Sequence, residues 1–351
     1  MLGRDALAND ILAALERSFK SMDSLVIGVD VGGTKVAGGL VTMKGRLVSS
    51  LTVPTHAAKG FATSFGQVVR LISRLIDRAG GRHRVAGIGL CAPGPLDTKA
   101  GIIINAPNIP GWQKVPLAAN LGKEFHLPAK VENDANAAGL AEVLFGAAAG
   151  YRHVFYVTVS TGIGTGIIIN RRIYHGKNGA AGEGGHVSID PQSPYRCGCG
   201  ALGHIEALAS GPAMARRARV FLEEEHTTAS RLRELTHGNL SHITPELIET
   251  AARNGDKVAQ KVIDDTGFYL GVWLAGMITL LDPEAIVMGG GVSRIGQPLF
   301  KQIRKTILRY TLNPGLARNT PLLPAKLQKL VGVYGAASLF LPAGEEMELG
   351  Y

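Results

Sequence analysis

The chain has 351 residues, 46% of them hydrophobic, enough to bury a large core and to favour two domains or one duplicated plan over a disordered chain. Its net charge of +9 is spread over single residues and short pairs such as Arg171-Arg172 and Arg216-Arg217, so charge alone marks no nucleic-acid surface. Of three cysteines, two stand together at 197 and 199 and leave Cys91 over; this excludes a disulfide framework and reads as a cytoplasmic protein.

The opening residues lack the basic-then-apolar order of an export signal, and Ala6, Leu7, Ile11, Leu12 and Leu15 suggest a helical appendage over 1–24. Leu25 to Asp30 reads as a strand, Val31-Gly-Gly-Thr34 as a tight turn and Lys35 to Val41 as a returning strand, before Lys44-Gly45-Arg46 turns the chain again. From Phe61 to Ala79, residues Phe65, Val68, Val69, Ile72, Leu75 and Ile76 recur at the spacing of an amphipathic helix. Val85 to Leu90 returns to strand. Ala129 to Glu132 is a short strand that runs through Asn133-Asp134 into an alanine-rich helix, Ala135 to Phe145.

The same device then repeats: Val154 to Ser160, the turn Thr161-Gly-Ile-Gly164, and Thr165 to Asn170 form a second strand, glycine turn and strand. Gly211 to Glu225 and Asp256 to Leu281 read as helices flanking a polar, solvated excursion from Glu223 to His242. The uncharged run Thr266 to Leu281 is broken by glycines and is shorter than the roughly 20 residues of a membrane span, so it reads as a buried helix. Ala285 to Met288 is a strand ending in a third glycine turn, Gly289-Gly-Gly291. Alternating strands and helices give an α/β class, with a smaller domain over 25–133 and a larger one over 134–351 whose last helix packs back on the first.

Glycine turns expose backbone N–H groups and admit a phosphate closely, and Asp30 at the end of one strand could hold magnesium or its water shell. There is no Walker A sequence, and a formal G-x-G-x-x-G at Gly198, Gly200 and Gly203 lies among cysteine and histidine, where it reads as a metal knuckle instead of a dinucleotide turn. Metal-type ligands interleave with carboxylates in Glu183-Gly-Gly-His186 and Cys197-Gly-Cys199-Gly-Ala-Leu-Gly-His204-Ile-Glu206, pointing to a polyol site braced by zinc. Asn133-Asp134 stands at a strand-to-helix junction, where these residue types commonly cap the helix.

Asp30-Val-Gly-Gly-Thr-Lys35, Ala106-Pro-Asn108 with Pro110-Gly-Trp112, Glu132-Asn-Asp134, Ser160-Thr-Gly-Ile-Gly164, Glu183-Gly-Gly-His186 and Cys197-x-Cys199-Gly-x-x-Gly-x-x-Glu206 together resemble the ROK family of sugar kinases and repressors, its bacterial glucokinases most of all. The resemblance implies an actin-like, hexokinase-like fold of two RNase H-like domains closing on a cleft, a homodimer, and transfer of phosphate from ATP to the 6-hydroxyl of a hexose, glucose in the first place. By position it implies Asp134 as general base, with Asn108, Asn133, Glu183, His186 and Glu206 on the sugar hydroxyls. It sets Asp30, Gly32, Gly33, Thr34, Lys35, Thr161, Gly162 and Gly164 around the phosphates and Mg2+, and Gly289, Gly290 and Gly291 beside the adenosine. In the zinc block the family's usual third cysteine is His204 here, so the expected Zn2+ ligands are His186, Cys197, Cys199 and His204. A kinase of another hexose, a polyphosphate donor and a non-catalytic sugar-binding protein stay open; a repressor would need a DNA reader ahead of Leu25, and neither nucleic acid nor membrane is an expected partner.

Overall fold

The computed structural model describes residues 24–224 and 230–341, so the helical pattern read over 1–24 lies, Ser24 apart, outside the described residues. The chain divides into two compact units, one made of described residues 24–145 and 329–341, the other of Gly146–Gln328.

In the first unit, β1 (Leu25–Val31), β2 (Lys35–Thr42) and β3 (Leu47–Pro54) form an antiparallel meander; α1 (Phe61–Ala79) then crosses to β4 (Val85–Ala92), parallel to β1. A side sheet of β5 (Leu96–Asp97), β6 (Ile102–Asn105) and β7 (Gln113–Val115) and a helix α2 (Leu117–Phe125) precede β8 (Ala129–Asn133), which completes the order β3-β2-β1-β4-β8. The side sheet and α2 are additions to the elements read from the sequence; their strands are too short to show an alternation. Helix α1 is amphipathic as expected, with Val68, Leu71, Ile72 and Leu75 fully buried against the sheet, each contributing about 1.5–3 kcal/mol by removal from water.

The other face of this sheet takes α3 (Asp134–Phe145) and the C-terminal helix Val331–Ser338. Gly28 and Gly89 sit opposite each other on β1 and β4, and a Cβ on them would fall 2.1 Å from the Val333 carbonyl oxygen and 1.8 Å from that of Ala336. Glycine in the middle of two central strands is there so that a helix backbone can lie directly on the sheet. The contact boundary therefore falls after Phe145, because α3 packs with the C-terminal helix on the first sheet; the expected division at 133/134 would have cut that layer.

The second unit repeats the plan. β9 (Val154–Val159), β10 (Ile163–Ile169) and β11 (Arg172–Ile173) form the antiparallel meander. A long insertion follows, with α4 (Ile205–Ala209), α5 (Gly211–Glu224), α6 (Arg231–Leu235), α7 (Pro245–Arg253) and α8 (Lys257–Leu281). β12 (Ala285–Gly289), parallel to β9, leads through α9 (Gln297–Tyr310) and α10 (Pro314–Asn319) to β13 (Leu322–Pro324), giving the order β11-β10-β9-β12-β13. The two sheets share one strand order and one pattern of parallel and antiparallel neighbours, as the twin glycine hairpins in the sequence implied.

The polar stretch 223–242 is less of an excursion than its composition suggests: outside residues 225–229, which are not among the described residues, it folds as α6 with Leu232 buried. The Asp256 carboxylate accepts from Ser230 Oγ at 2.6 Å and Leu232 N–H at 3.2 Å while capping α8 through Ala259 N–H at 2.9 Å. The uncharged run in α8 is mostly core, with Trp273, Leu274 and Ile278 buried, and no helix of the described residues is long and apolar enough to cross a membrane.

Candidate active site and metal cluster

In the first unit, strand register gathers the predicted residues at the C-terminal edge of the parallel strands, the edge where open α/β sheets bind ligands. Asp30 pairs with Cys91, Cys91 with Glu132, and Ala92 with Asn133, so the phosphate-turn aspartate and the Asn133-Asp134 junction end on one row. The first glycine turn closes through Gly32 N–H to Lys35 O at 3.0 Å and is tied down by Thr55 Oγ, which donates to Gly32 O at 2.6 Å. Gly33 lies against the predicted sugar residue Asn108, where a Cβ would meet the Asn108 carbonyl oxygen at 2.7 Å.

Asn133 and Asp134 open α3. Asn133 Oδ1 accepts from the N–H groups of Ala135 at 2.9 Å and Asn136 at 3.2 Å, and Asp134 Oδ1 accepts from Ala135 at 2.8 Å, so capping is real. The Asp134 side chain is nevertheless exposed and stands in the first turn of the helix. Beneath it the buried Glu132 Oε1 accepts from Asn133 N–H at 2.9 Å and Asn136 Nδ2 at 3.1 Å, fixing the turn.

Two residues at this edge carried no sequence signal of their own. Thr55 follows a strand-ending proline like any loop residue. Cys91 is a fully buried thiol that donates to Gly332 O at 3.3 Å and, more weakly, to Asp30 Oδ1 at 3.6 Å. Burial, with Asp30, Asp134 and Glu132 all nearby, pushes this thiol far above its ordinary value, so it stays protonated as a donor. Burial likewise raises the Asp30 carboxyl, against the opposing pull of Cys91 and Lys35. Only the strand register, invisible in a linear reading, reveals that Cys91 separates Asp30 from Glu132.

In the second unit, Thr161 and Gly162 lie in the turn between β9 and β10, Gly164 is the second residue of β10, and the predicted sugar and metal residues gather at the first, Ile163. Ile163 N–H donates to Glu206 Oε2 at 2.9 Å, and Gly185 of the Glu183–His186 segment lies so close that a Cβ would meet Ile163 O at 2.1 Å. Thr165 Oγ accepts from Gly184 N–H at 3.0 Å and donates to Gly182 O, holding the segment from beneath. The third glycine turn backs onto the same place: Gly290 faces Val159 O, with room for no Cβ.

His186, Cys197, Cys199 and His204 are brought together, their ligand atoms all within 4.8 Å of one another. Cys197 Sγ lies 3.5 Å from His186 Nδ1 and Cys199 Sγ 3.4 Å from His204 Nδ1. A tetrahedral zinc with bonds of about 2.3 Å to sulfur and about 2.0–2.1 Å to nitrogen would set such pairs about 3.6 Å apart, so this Cys2His2 set fits the metal. The other ring nitrogen, His186 Nε2, points to Glu183 Oε2 at 3.8 Å. Cys197 Sγ also donates to Glu206 Oε1 at 3.3 Å; burial, with Glu206 alongside, pushes this thiol up to about 11. Glu206, predicted as a sugar ligand, is thus the link between the metal cluster and the second glycine turn.

Compared with known proteins, residues 26–343 match the model of the ROK family. The chain is 36% identical over 332 residues to a glucokinase of Halalkalibacterium halodurans, covering 93% of this chain and 98% of that one. Among solved structures it resembles a ROK family glucokinase from Streptomyces griseus in complex with glucose and AMPPNP, with TM-score 0.75 and 35% identity over 90% of this chain and 99% of that one. A ROK hexokinase from Thermus thermophilus is similar to the same degree, with TM-score 0.75, 34% identity and coverage of 90% and 97%. The actin-like, hexokinase-like fold expected from the motifs agrees with these neighbours and with the repeated sheet order. This chain belongs to the ROK family of proteins.

Proposed function

We propose that this chain is a glucokinase, transferring the terminal phosphate of ATP to the 6-hydroxyl of glucose. The observation that carries the reading is the likeness, over nine tenths of the chain, to the Streptomyces griseus glucokinase held with glucose and AMPPNP. Asp134 is the general base: phosphoryl transfer has a loose transition state, so the carboxylate orients the attacking hydroxyl and takes its proton late. Asn133, whose Oδ1 is committed to the helix cap, offers its amide nitrogen to a hydroxyl, and Asn108 is assigned to another. Glu183, His186 and Glu206 are assigned to the remaining hydroxyls.

Gly32, Gly33, Thr34 and Lys35 on one hairpin and Thr161, Gly162 and Gly164 on the other are assigned to the phosphates. Asp30 is a carboxylate of the type magnesium takes beside phosphate oxygens, so it would receive the metal that accompanies ATP. Gly289, Gly290 and Gly291 are assigned to the adenosine side. A cavity of about 320 Å3, with Ala252, Ile263, Ile295 and Pro298 as apolar walls and Glu249, Arg253, Gln260 and Asp264 as polar and charged groups, is assigned to the purine. His186, Cys197, Cys199 and His204 would hold zinc, which when bound ties the Glu183–His186 segment to the loop before α4. A homodimer in the cytoplasm completes the reading, in keeping with three unpaired cysteines.

The test is ADP release with magnesium across glucose, fructose, mannose, N-acetylglucosamine and N-acetylmannosamine, repeated with polyphosphate in place of ATP and followed as glucose 6-phosphate. Highest kcat/KM on glucose with ATP supports the reading. Preference for an N-acetylated sugar or for polyphosphate overturns the substrate assignment, and silence on every sugar overturns the enzyme. Metal analysis of protein purified without chelator should return one zinc per chain; none would remove the metal from the account.

A further inference from the structure

The pair Arg216-Arg217, the closest basic doublet to the metal cluster in the sequence, is used in a way composition does not announce. Helix α4 is five residues long, carries Glu206, and leaves its last carbonyls without partners inside the helix. Helix α5 doubles back beside it, and its two guanidinium groups take those carbonyls: Arg216 donates to Ala207 O, and Arg217 donates to Leu208 O at 2.6 Å. Two cations at the negative end of so short a helix hold it from both sides.

Each arginine also has a second anchor, and the anchors differ. The Arg216 guanidinium lies 4.0 Å from the ring centre of Tyr195, two residues before the metal-type ligand Cys197. Arg217 donates to Thr266 Oγ at 3.2 Å and lies 5.1 Å from the ring centre of Tyr269, both on α8. Burial pulls both guanidinium groups below the ordinary arginine value, with Tyr195 opposing it for Arg216 and Asp265 for Arg217, as for cations held off water for a structural purpose.

We propose that Arg216 and Arg217 are positioning residues of the sugar site: Arg216 clamps the Glu206 helix to the loop of the metal cluster, and Arg217 clamps the same helix to α8. The proposal rests on the assignment of Glu206 to a sugar hydroxyl. A shift of α4 moves the Glu206 carboxylate, so sugar affinity falls; the second glycine turn keeps its own closure from Ser160 N–H to Gly162 O at 2.8 Å, so nucleotide affinity does not fall. Because Arg216 stacks on Tyr195 whereas Arg217 feels that residue as a charge interaction without stacking on it, the two arginines separate in their effect on metal retention.

The test compares Arg216→Leu, Arg217→Leu, Arg217→Lys, Tyr195→Leu and Glu206→Gln in the full chain. Steady-state KM values for glucose and ATP are read together with the rate of zinc transfer to 4-(2-pyridylazo)resorcinol. Both leucine variants should raise the glucose KM about tenfold, the size of one lost hydrogen bond to a charged group, with the ATP KM unchanged. Arg217→Lys, which keeps one donor for Leu208 O, should fall between wild type and Arg217→Leu. Only Arg216→Leu and Tyr195→Leu should speed zinc loss. If a leucine variant does not fold, Arg217→Lys and Tyr195→Leu carry the test. An unchanged glucose KM in the arginine variants while Glu206→Gln raises it overturns the proposal alone. Joint rises in both KM values, with Lys no better than Leu, also overturn it, since that is a general loss of structure. An unchanged glucose KM in Glu206→Gln overturns the reading of Glu206 on which the proposal stands.

Discussion

Gly162→Ala is the substitution whose effect the structure defines most closely. Gly162 is not among the residues with left-handed backbone, so alanine meets no conformational penalty there. Its Cβ would, however, fall 2.5 Å from Glu206 Oε2, and ordinary contact begins at 3.4 Å, so the carboxylate must retreat about 0.9 Å. That stretches the 2.9 Å bond from Ile163 N–H to about 3.8 Å, beyond hydrogen-bond range. The carboxylate assigned to a sugar hydroxyl is then misplaced, and loss of that one hydrogen bond, worth about 1.5–3 kcal/mol, should lower kcat/KM for glucose by about 10- to 150-fold. The broken bond from Ile163 N–H lies within the protein, so unfolding stability should fall by up to about 1.5–3 kcal/mol. The assay is kinetics with glucose varied at saturating ATP, for Gly162→Ala, Glu206→Ala and the double variant. Coupling through the carboxylate predicts that the glycine substitution costs little once Glu206 is gone. A full effect of Gly162→Ala in the absence of Glu206, or none in its presence, would refute the argument.

Three further outcomes are expected. Asp134→Asn keeps the Oδ1 acceptor that caps α3, so it should preserve the melting temperature and glucose binding while lowering kcat by about 10²–10⁴-fold; turnover near wild type would remove Asp134 as the base. Gly89→Ala forces a Cβ against the Ala336 carbonyl and should cost about 3 kcal/mol or more in urea unfolding, whereas Gly66→Ala, with open space around it inside α1, should stabilise by about 0.5–1 kcal/mol; equal effects would contradict the backbone-on-sheet packing. Burial alone would raise Asp256, but its hydrogen bonds from Ser230, Ala259, Leu232 and Arg231 outweigh this and leave it below the usual carboxylate range. The native carboxylate therefore binds a proton more weakly than the unfolded one, and its contribution is complete above the unfolded pKa of about 3.9 and lost as pH falls through the lower folded value. Asp256→Asn should be less stable than wild type at pH 7 and converge with it in acid, whereas a constant difference across pH would deny the linkage.

The duplicated plan could be read from the chain because each hairpin advertises itself twice, by β-branched strands and by a glycine turn that no packing partner is needed to explain. The metal set could be read for a similar reason: His186, Cys197, Cys199 and His204 lie within nineteen residues, and the two isolated bridges Ser188 to His204 and Arg196 to Leu202 fold that stretch on itself locally. Long-range packing was closed to such a reading. Nothing near Gly28 or Gly89 announces that a helix more than 240 residues away lies against them, and so the boundary between units fell at Phe145 instead of at the Asn133-Asp134 junction. Cys91 stands in an apolar run and has no signal of its own there; strand pairing sets it between Asp30 and Glu132. Glu206 was found by motif, but its grip on Ile163 and Cys197 depends on α4 swinging back to β10, which the short helix does not signal.

The most direct test of the central claim is the identity of the product. The full chain incubated with glucose, ATP and magnesium, followed by phosphorus NMR, should convert glucose to glucose 6-phosphate with one ADP formed per sugar phosphate, and Asp134→Asn should leave both at background. Appearance of ADP with free phosphate and no sugar phosphate, or a sugar phosphorylated elsewhere than the 6-hydroxyl, would contradict the account.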